Sequence, residues 1–188
     1  MWNLLTRVAI WGKIMSDAYI GGTDMKNRIL CILMALAVVC FSGCGLNDLY
    51  EQATLPDRIA TEQATTIMNC FKTGETVELK NSFCKAVADT HNLDEEIKEA
   101  IQFIDGDIIS DGKWYAMSEA GSSWENGKQI ECHISPRMKN VETSSNKQYT
   151  ISFFAYVTYT DDEELVGITR ITVRDTETNE TYMIGEVV

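Results

Sequence analysis

Few side chains in this chain could do chemistry, and their spacing limits what that chemistry is. Only two histidines occur, His91 and His133. His91 falls between two helical patterns, where a solvated side chain is expected. His133 falls on a strand pattern beside Cys132. As a general base it would need a hydrogen-bonded carboxylate and a pocket around it. Asp105, Asp107 and Asp111 are spaced somewhat like the acids of a calcium loop, but Ile108 and Ile109 interrupt the oxygen ligands that such a loop demands. Parity puts Asp107 and Asp111 on one strand face, with Asp105 at the exit of the preceding helix. Trp114, Tyr115 and Trp124 gather around the first hairpin pattern. Flat aromatic faces there could line a sugar-binding or partner-binding surface, while cross-strand packing is the plainer use of the same residues. The chain carries no phosphate-binding loop, dinucleotide fingerprint, metal-spaced Cys/His cluster or nucleophile elbow, so neither metal nor cofactor is expected.

One residue has a well-marked chemical role. Lys26 and Arg28 precede thirteen apolar residues, Ile29 to Phe41, and Ser42-Gly43 leads into Cys44. That is the order of a secretory signal peptide: cationic start, apolar stretch, small residues. Thirteen residues cover roughly 20 Å as a helix, short of the ~30 Å hydrocarbon core of a bilayer. Phe41-Ser42-Gly43-Cys44 resembles a lipobox, whose cysteine receives a diacylglyceryl (palmitate-type) thioether; Phe41 stands where Leu is usual. Two acyl chains hold a protein on a membrane for long periods, each buried methylene contributing ~0.8 kcal/mol. The expectation is lipidation at Cys44 and a chain anchored to the extracytoplasmic face of the cell membrane without spanning it.

Residues 1–24 fit no part of a signal peptide, whereas Met25 is followed at once by Lys-Asn-Arg. Residues 1–24 therefore read as a mis-assigned upstream extension, 25–43 as the signal peptide, 44–53 as a tether and 54–188 as one domain. Cleavage before Cys44 leaves 145 residues, an ordinary size for one domain. It removes Arg7, Lys13, Lys26, Arg28, Asp17 and Asp24, leaving 12 basic and 26 acidic side chains, a net charge of −14. Such a balance disfavours nucleic acid, whose binding needs basic patches, and disfavours peripheral attachment to anionic lipid, which makes the covalent anchor more necessary. Cys70, Cys84 and Cys132 remain, an odd number that makes no disulfide framework. Cys70 and Cys84 fall on neighbouring helical patterns, where one bridge stays open. Both lie on apolar faces, which favours buried thiols.

Thr54-Leu55-Pro56-Asp57 has the form of a helix start, with Thr54 as cap. Ala60, Ala64, Ile67, Met68 and Phe71 follow at helical spacing, and Gly74 marks the stop. A second helix is predicted over 76–89 with Leu79, Phe83, Ala86 and Val87 on one face. A third begins at Asn92, with Glu95 at the capping-box position and Leu93, Ile97, Ala100, Ile101 and Ile104 as its stripe, and ends at Gly106. Beyond Gly106 the period falls to two. Strands are predicted over 107–118, 128–138, 147–160 and 164–175, with a short fifth over 180–185. In Lys147 to Thr160, Tyr149, Ile151, Phe153, Ala155, Val157 and Tyr159 alternate with Thr150, Ser152, Phe154, Tyr156 and Thr158. Asn126-Gly127 favours a hairpin between the first two strands, and Asp161 to Glu164 connects the next pair. The expected fold is α+β: three N-terminal helices packed on a curved antiparallel sheet of about four strands.

That order resembles the cone-shaped nuclear-transport-factor-2-like fold and, more narrowly, a family of uncharacterised Gram-positive lipoproteins, domain of unknown function 5104. The residues that carry the resemblance are Phe103-Ile104-Asp105-Gly106-Asp107-Ile108-Ile109-Ser110, Gly121-Ser122-Ser123, Ile134-Ser135-Pro136, and Tyr149 to Tyr159 followed by Val166-Gly167-Ile168. The family implies a fold and no catalytic residues. The cone fold hosts isomerases, dehydratases, ligand-binding proteins and interaction modules. In cone-fold isomerases a pocket carboxylate abstracts a proton, which makes Asp107 the first position to test, with His133 the second. Two functions are therefore carried forward. One is a lipid-anchored binding or interaction domain of the cell envelope, for a small ligand or a protein, with Trp114, Tyr115 and Trp124 as its candidate surface. The other is an isomerase or hydrolase that uses the cone interior.

Overall fold

The computed structural model describes residues 54–115 and 120–186. The signal peptide, Cys44, the tether and the upstream stretch lie outside the described residues, and Thr54, expected as the cap of the first helix, is already helical. Within them the chain forms helices first and then an antiparallel sheet.

Helix α1 occupies residues 54–73 and buries Ala60, Ala64, Ile67, Met68, Cys70 and Phe71 along one stripe. Gly74, at φ +77°, stops it, its N–H bonding back to the Cys70 carbonyl at 2.8 Å. Only glycine enters that left-handed geometry without penalty.

The second predicted helix proves to be two, α2 (Val77–Ser82) and α3 (Lys85–Thr90). Between them Phe83 and Cys84 are extended. Phe83 bridges Ile168 in parallel, and Cys84 N–H donates to the Ile168 carbonyl at 2.9 Å. Gly167, at φ +124°, permits this approach, since a Cβ there would lie 2.9 Å from the Cys84 nitrogen. Pairing with the sheet overrides a sequence that has no local breaker.

Helix α4 (Leu93–Phe103) starts where expected, although the Asn92 side chain caps no backbone N–H. Its amide instead donates to the Glu95 carboxylate at 2.8 Å. Among the described residues the α-helices therefore number four rather than three.

The strands are β1 (Ile108–Ser110), β2 (Lys113–Tyr115), β3 (Ala120–Glu125), β4 (Lys128–Ile134), β5 (Arg137–Thr143), β6 (Gln148–Tyr159), β7 (Gly167–Asp175) and β8 (Thr181–Ile184). They form one sheet of eight strands, where about four were expected. The excess comes from interruptions. Gly112 (φ +70°) separates β1 from β2, both of which pair with β5. Ser135-Pro136 separates β4 from β5, both of which pair with β6. Proline cannot donate to a ladder, and glycine turns a strand where another backbone approaches. Asn126 and Gly127 both have positive φ, as a two-residue hairpin turn requires, and join β3 to β4.

One face of β6 is apolar and buried through Tyr149, Ile151, Phe153 and Ala155. These pack with the helix stripes and with Ile134, Met138, Val141, Ile168, Ile171, Val173 and Ile184 in one core. Among the described residues, its buried members lie between Ala60 and Ile184. Tyr149 carries the core's buried phenol. Its hydroxyl accepts from Asp105 N–H at 2.9 Å and donates to the Phe103 carbonyl at 3.4 Å, which satisfies the exit of α4. Cys70, Cys84 and Cys132 are free and buried, and burial pushes the Cys70 thiol up to about 11.

Candidate functional site

The predicted site residues separate in space. Asp107 is exposed and serves the backbone: its N–H donates to Ser144 Oγ at 2.9 Å and its carbonyl accepts from Ser144 N–H at 2.8 Å. Asp105 takes Ser145 Oγ at 3.3 Å and Lys147 at 3.4 Å, while Asp111 pairs with Lys72. The three acids thus turn to different partners. Strand β1 is only three residues long, so Asp107 and Asp111 flank it instead of sharing its face.

Alternation splits the aromatic trio as well. Trp114 lies opposite Met138 and turns to the helix side, where with Ala64, Met68 and Met138 it lines a cavity of about 190 Å³. Tyr115 points the other way and is 39% exposed, and Trp124, near the hairpin tip, is 48% exposed. Trp124 Nε1 donates to Ser122 Oγ at 3.4 Å.

His133 has surroundings that its local sequence did not announce. On β4, residues 131 and 133 share a face, and the Glu131 carboxylate meets His133 Nδ1 at 3.1 Å. The other Glu131 oxygen accepts from Ser123 Oγ at 3.3 Å. The imidazole stacks on Phe154 (5.2 Å, 23°) and meets the edge of Tyr156 (6.1 Å, 80°). Tyr156 in turn stacks on Tyr159 (4.7 Å, 20°). A register shift makes this row possible. Cys132 pairs with Thr158 but His133 pairs with Tyr156, which leaves Val157 as the extra residue and brings Tyr156 and Tyr159 to one side. Gly121 lies opposite His133, where a Cβ would come within 2.4 Å of the ring, so glycine makes room for the imidazole.

This row borders a groove of about 320 Å³ lined by Phe154, Tyr156, Leu165, Thr169, Arg170 and Glu186. None of the four helices contributes a residue to that lining. Arg170 and Glu186 pair at 3.5 Å. Burial, then the Glu131 charge, raises the Tyr156 phenol above its ordinary value. The arrangement can stack a flat ring, hold an imidazole in one orientation through Glu131, and offer both a guanidinium and a carboxylate.

His91 also has partners that the sequence did not reveal. Its Nδ1 meets Glu96 at 2.9 Å and its Nε2 meets the Glu186 carbonyl at 3.0 Å. Glu96 accepts Gly185 N–H at 2.7 Å. The Glu96 carboxylate raises the His91 pKa, against a smaller opposing effect of burial. His91 thus clasps the end of β8, next to a residue that lines the groove. Among the described residues no three His, Cys, Asp or Glu side chains converge as a metal site, and no helix is long and apolar enough to cross a membrane.

The fold and this face define the class first: an α+β domain with helices on one side of an antiparallel sheet and an aromatic, mixed-charge groove on the other. The chain belongs to the family described as Domain of unknown function (DUF5104), whose model matches residues 66–180. That span takes in the helices from the middle of α1 and the sheet as far as the start of β8. No curated protein matches the chain.

Proposed function

We propose that this chain is a bacterial cell-envelope lipoprotein, held on the extracytoplasmic face of the membrane through a diacylglyceryl group on Cys44. In this reading its domain is a binding module, of nuclear-transport-factor-2-like cone type, whose groove takes a small ligand with a flat ring face and a polar edge. One observation carries the binding reading: His133, Phe154, Tyr156 and Tyr159 form a continuous aromatic row beside the Arg170–Glu186 pair. Half-buried aromatic rings present a large contact area at low entropy cost. The leader and Cys44 support the anchor, and helices followed by an antiparallel meander support the cone.

Ligand-observed saturation-transfer NMR tests the groove with two probes, benzoate (a ring with an acid edge) and N-acetylglucosamine (a ring with an amide edge). At least one should receive saturation from the wild type and lose it in Phe154→Leu and Arg170→Gln. Silence from both probes would remove this reading. Mass spectrometry of the mature N-terminus tests the anchor, with a diacylglyceryl-modified Cys44 as the expected result.

A second reading, catalysis with His133 as base, draws support from the Glu131–His133 hydrogen bond. The Ser123 hydroxyl bonds to Glu131 and not to the imidazole, so the pair lacks a nucleophile in line. Asp107, the other candidate, lies apart on an exposed turn.

A further inference from the structure

A second surface on the domain holds two like charges face to face. Lys113 on β2 lies directly opposite Lys139 on β5. Like charges facing each other across a strand pair are unfavourable unless something neutralises them. Neither lysine pairs with a carboxylate among the described residues. Both amines sit instead over the Tyr115 ring, at 5.4 Å and 5.1 Å, and that ring is 39% exposed. Among the described residues, Asp111 holds Lys72, and Glu142 accepts from the Gln148 amide at 3.3 Å. In a mature chain of net charge −14, this exposed pair of cations around a tyrosine goes against the general balance.

The position of the pair matters as much as its charge. On the reverse side of β2, Trp114 lines a cavity with Thr61, Ala64 and Thr65 of α1. The Tyr115 cluster therefore lies along the sheet edge that α1 covers. Helix α1 opens the described chain at Thr54, and only nine residues, Gly45 to Ala53, separate it from Cys44. Nine residues reach at most about 30 Å.

We infer that the Lys113–Tyr115–Lys139 edge rests on the anionic headgroups of the bilayer, an inference that builds on the anchored reading of Cys44. A tyrosine ring suits the headgroup layer, apolar in body and polar at its tip. Lysine stems extend to place their amines among phosphates. The acidic remainder of the domain is repelled by the same surface, so charge selects one orientation. The contact can be weak, because the lipid anchor keeps the domain at high effective concentration over the membrane.

Amine acetylation of the lipidated protein on vesicles, read by mass spectrometry, tests the contact with the anchor in place. The probes are phosphatidylcholine vesicles with and without 30% phosphatidylglycerol, and the exposed Lys98 of α4 serves as the internal reference. Lys113 and Lys139 should be acetylated several-fold more slowly than Lys98 on the anionic vesicles only, and the protection should fade as salt rises. Each lysine near an anionic surface is worth about five-fold in partitioning, so K113Q should relieve the protection of Lys139 by about that factor, with circular dichroism unchanged. Equal labelling of Lys113, Lys139 and Lys98 on both vesicle types, or full protection of Lys139 in K113Q, would overturn the inference, as would protection by inorganic polyphosphate but not by anionic vesicles. Failure of the anchor shows elsewhere, in an unmodified Cys44 by mass spectrometry, so the two outcomes are distinguishable.

Discussion

Strand β6 presents two faces made by the same alternation and used differently. Toward the helices, Tyr149, Ile151, Phe153 and Ala155 are buried, and the one phenol among them has both its hydrogen bonds met inside the protein. On the other side Thr150 and Ser152 are small, and then Phe154 and Tyr156 are large and only half-buried, arranged with His133 around a groove. The first face accounts for stability, and the proposed function assigns recognition to the second. A burial pattern that satisfies itself needs no ligand, whereas aromatic rings left beside an ion pair are surface that a ligand can cover.

That division predicts unequal costs. Ile151→Ala removes a fully buried side chain and should destabilise the domain by about 3–4 kcal/mol. Tyr156→Ala, on the open face, should cost about 1 kcal/mol while abolishing probe binding. Equal losses in urea titrations of the two variants would erase the distinction between the faces.

Gly112→Ala should cost about 2 kcal/mol, because its φ is +70° and a Cβ would lie 2.2 Å from the Lys139 carbonyl oxygen. Gly121→Ala meets only the end of a side chain, the His133 ring. It should therefore move the His133 Cε1–H resonance and weaken probe binding with a smaller loss of stability. Tyr149→Phe should cost about 1 kcal/mol by leaving the Asp105 N–H without its partner, read as a lowered midpoint in the same titrations.

The smallest effect concerns His91. Its folded pKa is raised, chiefly by the Glu96 carboxylate. The protonated imidazole therefore stabilises the fold fully below about 6.5, the ordinary imidazole value, and the contribution fades as pH rises through the raised folded value. His91→Gln should abolish a wild-type advantage of about 0.5 kcal/mol at pH 6 and change little at pH 9, measured as the difference between the two proteins at each pH.

Much of this was legible in the chain, for reasons that differ by element. The alternation in Lys147 to Thr160 became β6, the Asn126-Gly127 turn became a hairpin, and the Gly74 stop ended α1. Gly112 and Pro136 are recognisable breakers, yet the predicted strands ran through Gly112 and past Pro136, which is why eight strands replaced about four. The division of 76–89 into two helices was not legible, because it results from pairing between Cys84 and Ile168, far apart in sequence. Glu131 and His133 sit two apart on a strand, so their shared face could have been read, as could the bulky Phe154 and Tyr156 on the outer set. Tyr159 joins them only through the shift at Val157, and the His91 clasp links residues 95 apart. Neither leaves a local trace. Trp114 and Tyr115, adjacent in sequence, fall on opposite faces by simple alternation, which separated the expected aromatic trio.

The most direct test of the account is a backbone amide chemical-shift map of residues 45–188 titrated with benzoate and with N-acetylglucosamine. The account predicts saturable shifts concentrated at residues 131–133, 154–156, 169–171 and 186 for at least one probe. Shifts centred instead on Ala64, Met68, Trp114 and Met138 would place binding in the helix-side cavity and contradict the assignment of recognition to the open face. The absence of saturable shifts with either probe would contradict it equally.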